Sequence, residues 1–429
     1  MEKLLQYLWL HRILPLGTLY STDGEEVEII DPGVLNRDAG PDFFNAKIKI
    51  NGILWVGQVE IHTHSSLWAA HGHNKDVNYD SVILHVANTV DCTLTRTNGE
   101  IIPQLHLPCT EQMIKQYRSL CKGIHSPRCA TILPTINKIE KTSWLNRLQI
   151  ERLQMRTSQI HERLALFKGD WTACTFITIA RSFGFGLNGD AFEQWARMLN
   201  LNAVNKHIND PLQVESIFLG QAGLLEEDIE DDDYYQKLQK EYAYLAHKFK
   251  LKNLNPNRWK LMRIRPYNFP PLRIAQLAHL YHQRQGLLSQ IIEAPNITAY
   301  EKILQTGCSP YWETHFTFGK TGHQSHPNKR RLTPQTIQLV CINAISPLLF
   351  AYGQYIGDEL MCEKAHNLLE SLPAENNYII RDWSRMHLEA QNAGDTQALI
   401  HLHKEYCLKK RCLYCRFGYF YLKGHTENY

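Results

Sequence analysis

Gly40-Pro41-Asp42-Phe43-Phe44-Asn45-Ala46-Lys47-Ile48-Lys49-Ile50-Asn51-Gly52-Ile53-Leu54-Trp55-Val56-Gly57-Gln58-Val59-Glu60-Ile61-His62-Thr63-His64 reads as two strands around a tight turn. Asn51-Gly52 is a strong short hairpin signal, because both residues tolerate the left-handed backbone that a two-residue turn requires. The spacing predicts strands over 46–50 and 53–62. Side chains alternate along a strand, so Glu60, His62 and His64 are expected on one face and Val59 and Ile61 on the other. The hairpin should bring Asp42, at the entry of the first strand, towards Glu60, late in the second. Five histidines lie close by: His62, His64, His71, His73 and His85.

Outward from this stretch, Leu4, Leu5, Leu8 and Trp9 share one face of a helix expected over 2–14. A strand is expected over 26–30, a short helix over 66–71 and a buried strand over 82–87. A second hairpin is expected from 93–96 through Asn98-Gly99 to 101–107. Beyond about 140 the pattern becomes helical, over 144–167, 171–183, 190–199, 213–224, 232–249, 272–288 and 333–355. The expected class is α+β, with a mixed-sheet α/β domain over 1–135 and an α-helical domain with a Cys-rich segment over 136–429. The acidic run from Glu226 to Asp233 reads as a solvated loop entering a helix.

The chain has 429 residues, enough for two or three domains, and a formal net charge of +3, so any basic surface must be local. Its start carries Glu2 and Lys3 and reads as a helix, not an export signal. Apart from it, no window approaches the ~18 uninterrupted apolar residues of a membrane span. The 11 cysteines are odd in number and mostly isolated, which points to reduced thiols in the cytoplasm.

Two carboxylates that hold Mg²⁺ or Mn²⁺ can polarise a phosphoryl oxygen and lower the pKa of a bound water, with a third group orienting that water. Asp42, Glu60 and His62 suit those three roles. Pro41-Asp42, the hairpin-length gap, Glu60-Ile61-His62, the following helix and the strand 82–86 together resemble the PD-(D/E)xK nuclease superfamily, which has the restriction-endonuclease-like fold. The resemblance implies metal binding by Asp42, Glu60 and the backbone carbonyl of Ile61, and a nucleic-acid substrate. His62 stands where that superfamily usually has Lys and lacks a fixed positive charge near neutral pH. Over nearly its full length the chain also resembles an uncharacterised bacterial domain-of-unknown-function family with recurrent Gly-Pro-Asp-Phe, Val-Glu-Ile-His and Val-Ile-Leu-His-Val blocks.

Other readings stand beside the nuclease. Asp42 could cap a turn and Glu60 could pair with a lysine. The departure at His62 fits a catalytically degenerate, nuclease-like binding protein. His62, His64, His71 and His73 could serve a zinc hydrolase, or contact substrate with Asp76 and Tyr79 in support. His85 reads as a core residue. The basic segment 320–331, with His323, His326, Lys329, Arg330 and Arg331, is a candidate phosphate contact. At the far end, His403, Cys407, Cys412 and Cys415 offer four donors for a structural zinc. An iron–sulfur cluster completed by Cys121, Cys129 or Cys308 and simple core packing are the alternatives.

Overall fold

The computed structural model describes residues 1–13, 18–36, 38–109, 111–122, 127–321 and 330–423. The chain forms two compact units. One comprises Met1–Lys141, Arg385–Leu388 and Leu402–Tyr429; the other comprises Thr142–Ser384 and Glu389–His401. The terminal segment, which sequence reading joins to the helices, thus groups with the sheet.

The first unit opens with helix α1 (Glu2–Leu10), whose Leu4, Leu5, Leu8 and Trp9 are buried. Strands β1 (Leu19–Tyr20), β2 (Glu26–Asp31), β3 (Val34–Leu35), β4 (Phe43–Ile50) and β5 (Ile53–His64) follow. Next come helix α2 (Leu67–Ala70), β6 (Val82–Thr89), β7 (Gln104–His106) and helix α3 (Glu111–Lys122). The sheet order is β1-β2-β4-β5-β6-β7, with β3 also paired to β4. β2, β4 and β5 are antiparallel neighbours, whereas β5–β6 and β6–β7 are parallel.

The hairpin forms at the expected place. Ile50 pairs with Ile53, and Asn51 and Gly52 turn the chain with φ of 50° and 79°. α1 packs against β5. A parallel return needs a crossover, supplied here by α2 and two short 3₁₀ turns, His73–Lys75 and Val77–Tyr79. The run from Val82 to Ala87 is buried throughout, as its apolar density predicts.

The second hairpin forms only in its first part. Around Asn98-Gly99 the Arg96 N–H donates to the Glu100 carbonyl at 2.9 Å and the Ile102 N–H to the Leu94 carbonyl at 3.0 Å, about the Thr95–Ile101 bridge. Beyond it Gln104–His106 joins β6 in parallel, whose open edge satisfies its backbone groups.

The second unit contains α4 (Lys138–Leu166, starting within the first unit), α5 (Trp171–Phe183), α6 (Gly189–Met198), α7 (Leu201–Lys206), α8 (Pro211–Gln221), α9 (Asp233–Phe249) and α10 (Pro270–Gln283). Phe176, Trp195 and Phe218 meet edge-on or tilted in its core. Asp232, near the end of the acidic run, caps α9 by accepting from the Tyr235 N–H with its side chain. The segment Pro334–Ile356, read in the sequence as a helix over 333–355 and not as a membrane span, is long and apolar enough to cross a membrane by length and composition, but 72% of its apolar window is buried inside the protein.

Candidate metal centre

The antiparallel register sets Phe43 opposite Val59 and so brings Asp42 beside Glu60 and Ile61. The two strands exchange side-chain contacts there. The Asp42 N–H donates to Glu60 Oε2 at 2.9 Å, and the Ile61 N–H donates to Asp42 Oδ2 at 3.1 Å. From α1, Gln6 Nε2 donates to Asp42 Oδ1 at 2.8 Å.

The imidazoles gather on the same face. His62 is fully buried, with Nδ1 2.9 Å from His85 Nε2 and Nε2 3.2 Å from His71 Nδ1. Glu60 Oε1 lies 3.5 Å from Nε2 of both His62 and His73. The crossover delivers His71 and His73 together because Gly72, between them, adopts a left-handed φ of 80° that a side chain would resist. Tyr79 stacks on His73 at 3.8 Å, and Trp68 sets its edge against His73 and His85. One ring nitrogen from each of His62, His71 and His73 lies within 4.8 Å of the others.

Burial raises the Glu60 carboxyl, and the Asp42 charge raises it further. Burial also raises Asp42 against the opposing effect of its hydrogen bonds, and the charge of Glu2 on α1 adds to both. Burial pushes the His62 imidazole down to about 3, helped by His85 and His71, and pushes His85 down to about 4. The imidazoles of His62 and His85 are therefore neutral at pH 7. The Tyr79 hydroxyl is pushed up to about 12, by burial first and the Glu60 charge second. Two crowded carboxylates facing neutral ring nitrogens form a donor set that a divalent cation fits. Mixed imidazole and carboxylate donors favour manganese or zinc over magnesium.

Asp42, Glu60, His62, His71, His73 and Tyr79 thus come together as expected. Ile61 enters through its N–H, bonded to Asp42, where the resemblance implies its carbonyl on the metal. Asp76 accepts from the Asn78 N–H at 3.0 Å, and its charge reaches His73. His85 is buried as expected, yet it is also the second partner of His62. His64 is exposed at the end of β5, 3.3 Å from the Thr63 hydroxyl, where the strand has run past the core.

Arg330 is not a surface phosphate contact. It is buried in the helical unit, 3.5 Å over the Phe316 ring, with Nε donating to the Glu313 carbonyl at 3.2 Å; the aromatic face holds the guanidinium there. Arg330 and Arg331 both line a cavity of about 300 Å³. Lys329, His323 and His326 lie outside the described residues. Sequence reading missed Gln6 and Trp68. Gln6 is one helical turn from Glu2 on α1, a spacing that places both beside one site.

No curated protein and no solved structure matches the chain. A family model described as "Protein of unknown function (DUF2851)" matches residues 2–378.

Proposed function

The chain belongs to this family of proteins of unknown function, DUF2851, and we propose that it is a metal-dependent hydrolase of phosphodiester bonds in nucleic acid. The observation that carries the reading is the pairing of Asp42 with Glu60 across β4 and β5, against the buried rings of His62, His71 and His73. Three antiparallel strands, a crossover and a parallel fourth strand also support the restriction-endonuclease-like resemblance, which places its acidic pair on the same two strands.

Glu60, His62, His71 and His73 would hold the cation, with Asp42 beside them. A bound divalent ion supplies charge for the phosphoryl oxygen and acidifies a water. The remaining tasks fall to the chain. Gln6 and the Ile61 N–H fix the Asp42 carboxylate. His85 and Trp68 orient the rings of His62 and His73, as outer partners of metal ligands commonly do.

The test is cleavage of labelled DNA and RNA with Mn²⁺, Zn²⁺ or Mg²⁺, comparing wild type with Glu60→Gln and His71→Ala. We expect metal-dependent cleavage in the wild type and at least a hundredfold loss in both variants. A folded wild type that binds Mn²⁺ or Zn²⁺ at this cluster but cleaves neither polymer, while hydrolysing a small ester, would favour the zinc-hydrolase reading. Absence of both cleavage and Glu60-dependent metal binding would leave the degenerate binding protein.

A further inference from the structure

We propose that Cys129, Cys407, Cys412 and Cys415 form a tetrathiolate metal centre that fastens the returning end of the chain to the sheet unit. These residues are separate from the Glu60 cluster, and the proposal does not rest on the hydrolase reading.

Three of the thiols come from one compact turn. Cys407 closes the π-helical turn Leu402–Cys407. The chain then reverses through Lys410, at a φ of 53°, with the Lys410 N–H donating to the Cys407 carbonyl at 3.1 Å and the Arg411 N–H to the Tyr406 carbonyl at 2.8 Å. Cys412 opens the 3₁₀ turn Cys412–Tyr414, and the Cys415 N–H donates back to the Cys412 carbonyl at 3.2 Å. This is the two-residue knuckle that sets two thiolates on one ion.

The helix Arg416–Lys423 follows directly, and Gly418 lets it sit against the knuckle. A Cβ at that position would lie 2.1 Å from the Cys412 carbonyl oxygen. That helix packs on the 3₁₀ segment Arg128–Thr135, which carries the fourth thiol, Cys129. Cys407 is in electrostatic reach of Cys415, Cys129 and Cys412, and Cys129 is in reach of Cys415 and Cys412. Cys129 and Cys415 are each only 7% exposed.

Four soft donors within electrostatic reach of one another, two buried and two half-buried, suit a thiophilic metal, which takes them as thiolates and ties folding to metal binding. Sequence spacing pairs the three terminal cysteines with His403, and the geometry assigns the fourth position to Cys129. Cys308 belongs to the helical unit, and the Cys121 side chain lies outside the described residues.

Two fillings share this chemistry, a single zinc ion and an iron–sulfur cluster, and one experiment separates them. The full chain is purified without oxygen, and zinc, iron and acid-labile sulfide are counted per chain alongside the visible absorption. Counted in a Glu60→Gln, His71→Ala background, which removes the other candidate site, we expect about one zinc with no visible band, or iron and sulfide in equal amounts with a broad visible band. Either content should fall at least tenfold when Cys129→Ser or Cys412→Ser is added to that background, and stay unchanged when Cys308→Ser is added.

Because a serine variant may unfold, alkylation of the wild type followed by mass spectrometry provides a second reading. Cys129, Cys407, Cys412 and Cys415 should react together, and only after a chelator removes the metal. The proposal is overturned if the chain neither carries nor takes up zinc or iron–sulfur, if Cys129→Ser keeps its full metal content, or if the four thiols alkylate independently of the chelator.

Discussion

Glu60 is a buried carboxyl whose ionised form the fold does little to compensate. Its Oε2 accepts the Asp42 N–H, its Oε1 faces two histidine rings, and burial raises its pKa well above the ordinary value near 4.5. A carboxyl whose folded pKa is raised gives stability that is full below the unfolded value and lost as pH rises through the folded one. The chelated protein should therefore weaken between pH 5 and pH 8 by denaturant unfolding, and Glu60→Gln should strengthen it at pH 8 by about 1 kcal/mol or more. Weakening by that substitution would mean the carboxylate is already compensated. Restoring Mn²⁺ or Zn²⁺ should stabilise the wild type by about 2.7 kcal/mol at a hundred times Kd, and His71→Ala should lose most of that gain. Asp42, Glu60 and His62 are legible in the sequence because a two-residue turn and strand alternation are local rules. The contributions of Gln6 and Trp68 depend on α1 and α2 docking on the sheet, and no spacing along the chain carries that information.

Helix α8 shows how closely the helical unit is packed and where it is sensitive. A Cβ at Gly220 would lie 2.3 Å from the Tyr242 ring on α9, so this glycine sets the approach of the two helices. Gly220→Ala gains helix propensity but overpacks the contact, and we expect a net loss of about 1–3 kcal/mol in thermal or denaturant unfolding. On the same helix, Glu215 accepts from Trp312 Nε1 at 2.6 Å, and burial pushes its carboxyl up to about 7. By the same sign rule, its contribution is present below its ordinary value of 4.5 and fades as pH rises through about 7. Glu215→Gln should flatten the pH dependence of the helical unit's unfolding between pH 5 and pH 8. The full loss is on the order of 3 kcal/mol, at about 1.4 kcal/mol per tenfold in proton affinity. Helices α4, α5, α6, α8, α9 and α10 were legible from periodicity, whereas Glu359–Ser371, Tyr378–Arg385 and Ala393–His401 were not read. The second hairpin is shorter than the pattern suggests, because Asn98-Gly99 predicts the turn correctly but cannot tell where the second arm leaves the first to pair with β6.

At the scale of the whole molecule, sequence reading divides the chain once, whereas the sheet unit is built from both ends of it. Composition along the chain cannot reveal this, since Phe417 and Leu422 look like the residues of any other helix. Both are buried, and their helix packs on Arg128–Thr135 and α3, while Arg416 pairs with Glu140 at 3.2 Å. Deleting residues 402–429 should raise hydrogen exchange across 128–135 and α3 while leaving α5, α6 and α8 protected; unchanged exchange at 128–135 would refute the docking. The discontinuity also fixes an order of biogenesis. At ~5–20 residues per second, a ribosome needs tens of seconds to pass from Lys141 to Leu402. Throughout that interval Cys129 and the surface meant for the last helix stand open to oxidants and chaperones, while the helical unit emerges between them. The sheet unit begins before the helical unit and is completed after it.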